Sequence, residues 1–320
     1  MPKNASAQPT AAVTVFRLAA LFTFLAVAMG AVVCATGSGA SCPTWPGCRP
    51  DQITPQWQLN PMIEFVHRVV AMSAGPLVLA AAVMSRRLAG PNRWVRILPL
   101  VALAGALAAG AFGRLTVLSS LPTWLSGVDL FSSLTAMTVM GVAAVMVGVP
   151  ASDFRVRLAQ WHSGQVRSLS AMSLGVVVAM HVTGIFVAAP MSYTRCMGWP
   201  IWQLIDTDFH PWLQVVRLGL AALGAALVIS TVVVAVRQEP LRRWGIVLAM
   251  LFGAEMLLGL VIHAGGISAG VAAAYSVLAV ALLSCLGLLT TVAWAASVDS
   301  GAASGQPAPS RREPVEPTRR

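Results

Sequence analysis

Residues 34–68 read CATGSGASCPTWPGCRPDQITPQWQLNPMIEFVHR and join two apolar segments of the chain. The first part of this stretch is a polar loop with paired cysteines. The second part begins an apolar helix at Pro61, a residue suited to a first helical turn. Glu64, His67 and Arg68 follow at a depth where lipid would surround the helix. Ionisable groups at such depth are costly, so each of the three is a candidate functional residue.

The composition is that of an integral membrane protein. Of 320 residues, 57% are hydrophobic and 10% are charged, and the mean hydropathy is +0.76, whereas soluble domains are roughly a quarter charged. The sequence therefore predicts an all-α membrane protein with eight transmembrane helices. Runs long enough to cross ~30 Å of hydrocarbon lie at 14–35, 62–85, 95–112, 124–149, 168–190, 211–236, 243–264 and 268–295.

The basic residues predict the orientation in the cell membrane. Sixteen of the 21 Lys and Arg residues fall on the side that carries both termini, and only Arg49, Arg114 and Arg195 fall in loops on the other side. The positive-inside rule then places both termini in the cytoplasm and the cysteine loop outside. Because this asymmetry accounts for the net charge of +10, the charge gives no reason to expect a nucleic-acid partner.

The order of segments predicts two helical halves. We expect a cytoplasmic lead at 1–13, a first four-helix bundle at 14–149 with its outer cysteine loop at 36–60, and a further outer loop at 113–123. A cytoplasmic linker at 150–167 precedes a second four-helix bundle at 168–295. The tail at 296–320 is rich in Gly, Ser, Pro, Glu and Arg, a composition that favours disorder.

The two halves carry an internal repeat. Residues of the first half recur in the second half at three offsets. The pairs at offset 154 are Gly30/Gly184, Cys42/Cys196, Trp45/Trp199 and Pro46/Pro200; those at offset 150 are Pro61/Pro211, Glu64/Gln214 and His67/Arg217; those at offset 146 are Gly113/Gly259 and Asp129/Tyr275. Each half contains an even number of spans, so the copies would insert in the same orientation as parallel repeats. The pattern predicts one interior site in each bundle, with polar residues from the second and fourth helices facing each other.

In the first bundle, Glu64 and His67 are three residues apart and share a helix face. His67 and Asp129 lie at similar depths, so we expect the carboxylate to hydrogen-bond the imidazole when no ligand is bound. Cys42 and Cys48 lie in the exported loop, where oxidising conditions favour a disulfide over free thiols.

TGSGASCPTWPGC at 36–48 followed by IEFVHR at 63–68 resembles the haem A synthase family. That family oxidises a methyl group of haem O to the formyl group of haem A for haem–copper (cytochrome c) oxidases. The resemblance implies that Glu64 is the catalytic carboxylate and His67 an axial ligand of the haem iron, and that Cys42 and Cys48 are the outer-loop pair. Arg68 is expected at a haem propionate. The implied partners are haem O, membrane lipid, haem O synthase and oxidase assembly factors.

The chain departs from the family at the ligand positions. The family has histidine at all four matched places, whereas this chain has His67, Asp129, Arg217 and Tyr275. Bis-histidine ligation is therefore excluded at these positions, and we expect at most one haem, in the first bundle, with Asp129 as a weak ligand at most. The haem b of the second half is not expected at Arg217 or Tyr275. His181, His210 and His263 are either a displaced haem site or hydrogen-bonded interfacial residues.

The other buried polar residues and cysteines favour structural roles. Cys34 and Cys285 are expected to be small buried apolar residues. Cys196 is expected to have no partner, because Trp202 occupies the place that matches Cys48. Glu255 is expected to neutralise Arg217.

Two function classes follow. The first is an oxidoreductase of the haem A synthase type, and the second is a non-catalytic haem-binding or oxidase-assembly homologue that has lost most of its ligating histidines. A transporter is a third and weaker reading.

Overall fold

The computed structural model describes residues 9–88, 93–119, 122–148, 163–187, 196, 198–199 and 211–303. The chain in these ranges is all-helical, and eight helices are long and apolar enough to cross a membrane, as predicted. Each of them exceeds the roughly 20 residues that a span requires. They are α1 Thr10–Ala35, α2 Leu59–Arg87, α3 Arg93–Leu118, α4 Thr123–Gly148, α5 Ser163–Val187, α6 Pro211–Val236, α7 Glu239–Gly265 and α8 Ala269–Ala303.

Prolines mark several of the helix starts. Pro61 lies in the first turn of α2, Pro211 is the first residue of α6, and α7 has a proline at its first turn. Such positions lose no helical hydrogen bond, because the first amides of a helix have no partner within it. Pro76 and Pro99 lie inside α2 and α3, and membrane helices tolerate such interior prolines when neighbouring groups satisfy the freed carbonyls.

The helices differ most from the predicted segments at three boundaries. α3 continues to Leu118, into the predicted outer loop 113–123, and α5 begins at Ser163, inside the predicted linker 150–167. α8 continues to Ala303, so the first part of the predicted disordered tail is helical. The apolar runs end earlier than the helices because hydropathy marks the lipid-facing length, whereas a helix continues until a breaker such as proline. The lead 1–8, the residues 150–162 and the tail 304–320 lie outside the described residues.

The helices pack as two rings. In the first ring, α1 and α3 each pack against both α2 and α4; in the second ring, α5 and α7 each pack against both α6 and α8. The second and fourth helices of each ring therefore lie on a diagonal. The rings meet where α1 and α4 contact α8 and where α4 contacts α5. The duplication itself stays a prediction.

Candidate functional site

Arg68 holds the first outer loop against the end of the first bundle. Its Nη1 donates to the carbonyl oxygens of Thr44 at 2.5 Å and Gly47 at 3.0 Å, and its Nη2 donates to that of Cys42 at 2.8 Å. Nη2 also pairs with Glu64 Oε1, one helical turn earlier on α2. A planar guanidinium suits this task because its donors form a rigid fork. Arg68 is thus occupied by loop carbonyls, whereas the sequence predicted a haem propionate as its partner.

Glu64 completes the same arrangement from the other side. Its Oε2 accepts a hydrogen bond from the Cys42 amide at 2.9 Å, while Oε1 accepts from Arg68. Glu64 is buried, with 3% of its surface exposed, and each of its two carboxylate oxygens accepts a hydrogen bond. Buried charges persist only when paired and hydrogen-bonded, and this pair meets both conditions. We call Glu64, Arg68 and residues 42–47 the loop clamp.

The cysteines of this loop are joined, as predicted. Cys42 and Cys48 form a disulfide, with Cα atoms 4.2 Å apart, and both side chains are buried. Between them, Trp45 faces outward with 40% of its surface exposed. The Arg114 guanidinium of α3 lies over the Trp45 ring, 5.5 Å from its centroid, a distance at which a cation is attracted to the ring face. Both α2 and α3 therefore contact this loop.

His67 lies between Glu64 and Arg68 on α2, about 12 Å along the helix from Leu59. Its imidazole packs against α1 at Gly30, where a Cβ would lie 3.3 Å from His67 Cε1. The buried Nδ1 atom has no hydrogen-bond partner among the described residues. A buried polar atom without a hydrogen-bond partner calls for an explanation, and one explanation is that a ligand binds there.

The predicted hydrogen bond between His67 and Asp129 is absent. Neither a hydrogen bond nor an ion pair joins the two side chains in the part of the chain that the structure describes. The reason is the ring arrangement, because α2 and α4 lie on a diagonal and the His67 ring turns towards α1 instead. Asp129 is half-buried on α4. Similar depth along two helices did not place the two groups within bonding distance.

In the second bundle, Arg217 and Tyr275 are buried at the positions that match His67 and Asp129. Arg217 Nη2 is directed towards α5, where the Met180 carbonyl lies 3.4 Å away. The predicted pairing of Arg217 with Glu255 is wrong: Glu255 is fully buried, and neither of its carboxylate oxygens has a hydrogen-bond partner within the described ranges. Arg217 turns to α5, whereas Glu255 projects from α7.

The second disulfide was not predicted. Cys34, at the end of α1, is bonded to Cys196, with Cα atoms 5.6 Å apart. The predictions that Cys34 is a small apolar residue and that Cys196 has no partner are therefore wrong. They followed from the internal repeat, which suggested pairing within one loop and not between the two bundles. The signal available in the sequence was an even number of cysteines on the side predicted to be exported, with Cys285 left over. Cys285 is free and buried, as predicted.

The remaining histidines do not form a shared interior site in the described structure. His181 is buried in the second bundle, with 8% of its surface exposed, whereas His263 is exposed on α7. His210 lies outside the described residues. No group of three or more His, Cys, Asp or Glu that could hold a metal ion occurs among the residues described.

The chain is similar to proteins named heme A synthase. It is 27% identical to the one from Bacillus licheniformis over 241 residues, which cover 69% of this chain and 76% of the relative. For that of Geobacillus kaustophilus the identity is 25%, with 73% and 75% covered. For that of Exiguobacterium sibiricum it is 27%, with 66% and 70% covered. No protein-family model matches the chain.

The residues of the first bundle fit a haem held by a single strong ligand. His67 supplies an imidazole whose buried Nδ1 no described group binds, and the ring packs closely against Gly30 of α1. Across the diagonal, Asp129 offers a carboxylate, a harder donor than imidazole and a weaker partner for haem iron. Low-spin ligation by two histidines does not fit these residues.

Proposed function

We propose that this chain is a membrane oxidoreductase of the haem A synthase type that takes haem O into its first bundle and oxidises one methyl group to a formyl group. The observation that carries the proposal is His67, an imidazole that packs against α1 in the first bundle and has a buried Nδ1 without a partner among the described residues. The similarity to proteins named heme A synthase over about 70% of the chain supports the same class of chemistry.

The residues of the first bundle would divide the work. His67 would hold the haem iron, and the Asp129 carboxylate of α4 would be a weak ligand at most. The bound haem supplies the iron-centred redox chemistry. Glu64, whose oxygens accept from Arg68 and the Cys42 amide, acts as a fixed negative charge near the outer end of the bundle. These two hydrogen bonds favour a charge-stabilising role over proton transfer, since a general acid or base needs an oxygen within reach of the substrate.

Arg68 would influence haem binding indirectly, by holding the cysteine loop in place. Its donors to Cys42, Thr44 and Gly47 fix the loop that covers the bundle. We therefore assign Arg68 to positioning the loop that covers haem O, and we place that loop on the outer face with both termini in the cytoplasm. Haem O synthase would supply the substrate, and oxidase assembly factors would receive the product.

A specific observation favours a second candidate function. Three of the four places where the family has histidine are occupied by Asp129, Arg217 and Tyr275, so electron transfer through a second haem is not supported. The alternative is a haem-binding or oxidase-assembly protein that performs no oxidation.

Haem analysis separates the two. The purified protein, produced in cells that make haem O but lack their own haem A synthase, should contain haem A as well as haem O by pyridine haemochrome spectra. Glu64→Gln should keep bound haem and lose haem A, while Glu239→Gln, on the exposed end of α7, should change neither. Bound haem O without haem A in the parent protein would favour the alternative, and the absence of any bound haem would refute both the oxidation and the haem-binding form of the alternative.

A further inference from the structure

Of the connection between α5 and α6, the structure describes Cys196, Gly198 and Trp199. Trp199 is buried in the second bundle, with only 3% of its surface exposed. Its ring lies 5.5 Å from that of Phe252 on α7, edge to face, and a Cβ on Gly224 of α6 would lie 3.2 Å from its Cη2. Phe252 and Gly224 each lie about 20 Å along their helices from the ends nearest the loop. The indole is therefore close to the middle of the membrane.

Gly198, the residue before Trp199, packs closely against His181 of α5 and Ala279 of α8. A Cβ on Gly198 would lie 2.5 Å from both Cε1 and Nε2 of His181 and 3.0 Å from Cβ of Ala279, so a larger side chain does not fit. His181 Nδ1 is 2.8 Å from the Val177 carbonyl, which fixes the ring. The opposite nitrogen, Nε2, is buried without a hydrogen-bond partner among the described residues and faces Gly198.

Two bonds hold Cys196, at the end of the second bundle. The Cys196 carbonyl accepts a hydrogen bond from Ser276 Oγ of α8 at 3.1 Å, and the Cys196 sulfur is bonded to Cys34 of α1. The disulfide connects positions 162 residues apart, so it joins the loop of one bundle to a helix of the other. A cross-link over such a separation strongly restricts the unfolded and partly opened chain.

We propose that Cys196, Gly198 and Trp199 form a built-in stopper that fills the second bundle where relatives of the haem A synthase type would be expected to hold a haem, and that the Cys34–Cys196 disulfide keeps it there. The interior of the second bundle does not fit a haem in this structure, because the indole of Trp199 occupies it beside Gly224 of α6 and Phe252 of α7. This inference concerns the second bundle and does not depend on oxidation in the first.

Hydroxyl-radical footprinting of the full-length protein in lipid nanodiscs, without added haem, tests the stopper at the level of single residues. Trp199 should be oxidised about 30 times more slowly than Trp57, the ratio of their exposed fractions of 3% and 93%. Trp45, the predicted counterpart of Trp199 in the first loop, is 40% exposed and serves as an internal reference. If Trp199 were oxidised as fast as Trp45, the stopper would be disproved.

Two variants release the stopper in different ways. Cys34→Ser removes the covalent bond, and Gly198→Val introduces a side chain that collides with His181. Each should raise the oxidation rate of Trp199 towards that of Trp45, by up to about 13-fold from the ratio of 40% to 3% exposure. Gly175→Val, on α5 with no atom within 4 Å of its Cβ position, is the matched control and should leave the rate unchanged. Unchanged protection in both release variants would overturn the proposed hold.

Haem titration tests the consequence. The parent protein should bind no more than one equivalent of ferric haem, whatever its oxidation activity. A second equivalent bound by the parent protein would contradict the stopper. Gly198→Val combined with Cys34→Ser should accept a second equivalent. Because footprinting needs no haem, failure of haem binding in the first bundle would leave the test of the stopper intact.

Discussion

The loop clamp predicts strong energetic coupling between Glu64 and Arg68. We consider Glu64→Gln and Arg68→Leu, which introduce the residues found at the matched places of the second half, Gln214 and Leu218. The side chains of Arg68 and Glu64 are 7% and 4% exposed. Arg68→Leu leaves a buried carboxylate without its cation, and breaking such a pair typically costs about 3–5 kcal/mol. The Thr44, Gly47 and Cys42 carbonyls lose their donor in addition.

The double variant should be less damaging than the sum of the two single variants. Once the carboxylate is an amide, removing the guanidinium no longer leaves an uncompensated charge. We expect a coupling energy of about 2–3 kcal/mol, the upper part of the range for residues in one network. The assay is unfolding in mixed micelles titrated with sodium dodecyl sulfate, followed by far-ultraviolet circular dichroism for the four proteins of the cycle.

The chain provides its own control for this experiment. Arg242 and Glu239 form an ion pair on α7 with an N–O distance of 3.5 Å, but their side chains are 58% and 78% exposed. Water screens such a pair, so the same cycle there should give less than about 0.5 kcal/mol. If the Glu64–Arg68 cycle were additive to within the same 0.5 kcal/mol, the clamp would not hold the loop, and our account of both residues would be wrong.

Further predictions concern the first bundle. Gly30→Val should displace the His67 ring and lower haem affinity by about tenfold or more, which corresponds to a loss of about 1.4 kcal/mol of binding free energy. Gly110→Val, whose Cβ meets no atom within 4 Å, should leave haem affinity unchanged. Equal affinities of the two variants in an optical titration would argue against His67 as the ligand. Electron paramagnetic resonance of the ferric haem-loaded protein should give a high-spin signal that His67→Ala removes, whereas a low-spin bis-histidine signal would exclude single ligation. With the other cysteines replaced by serine, a membrane-impermeant maleimide should label Cys42 and Cys48 on intact cells only after reduction, and labelling that needs permeabilised cells would reverse the orientation.

The helices could be predicted from the sequence because lipid imposes a simple rule. An apolar run long enough to cross the membrane must be helical if its backbone is to be hydrogen-bonded, and all eight runs were found in this way. The same rule says little about where a helix ends, and residues 113–118 and 296–303 continue α3 and α8 beyond the apolar runs. The ends depend on local breakers, which hydropathy does not register.

The site could be predicted in its residues but not in its contacts. The sequence identified Glu64, His67 and Arg68 as costly groups in lipid, and the structure buries or half-buries all three. It did not reveal that Arg68 binds three loop carbonyls, because a loop's path over a helix end depends on the tertiary fold. The expected His67–Asp129 bond failed for the same reason, since depth along a helix does not fix the direction of a side chain.

The two outer loops differ in the residue that meets their carbonyls. In the first half, Arg68 offers a fork of donors that holds the Cys42–Gly47 segment at the bundle end, and Trp45 remains outside. At the matched place in the second half, Leu218 has no donor to offer. The second loop then satisfies its carbonyl at Cys196 with Ser276 of α8, and its tryptophan gains more by entering the bundle, since burying an aromatic side chain contributes about 1.5–3 kcal/mol. The arginine at position 68 therefore accompanies an exposed Trp45, and the leucine at position 218 accompanies a buried Trp199.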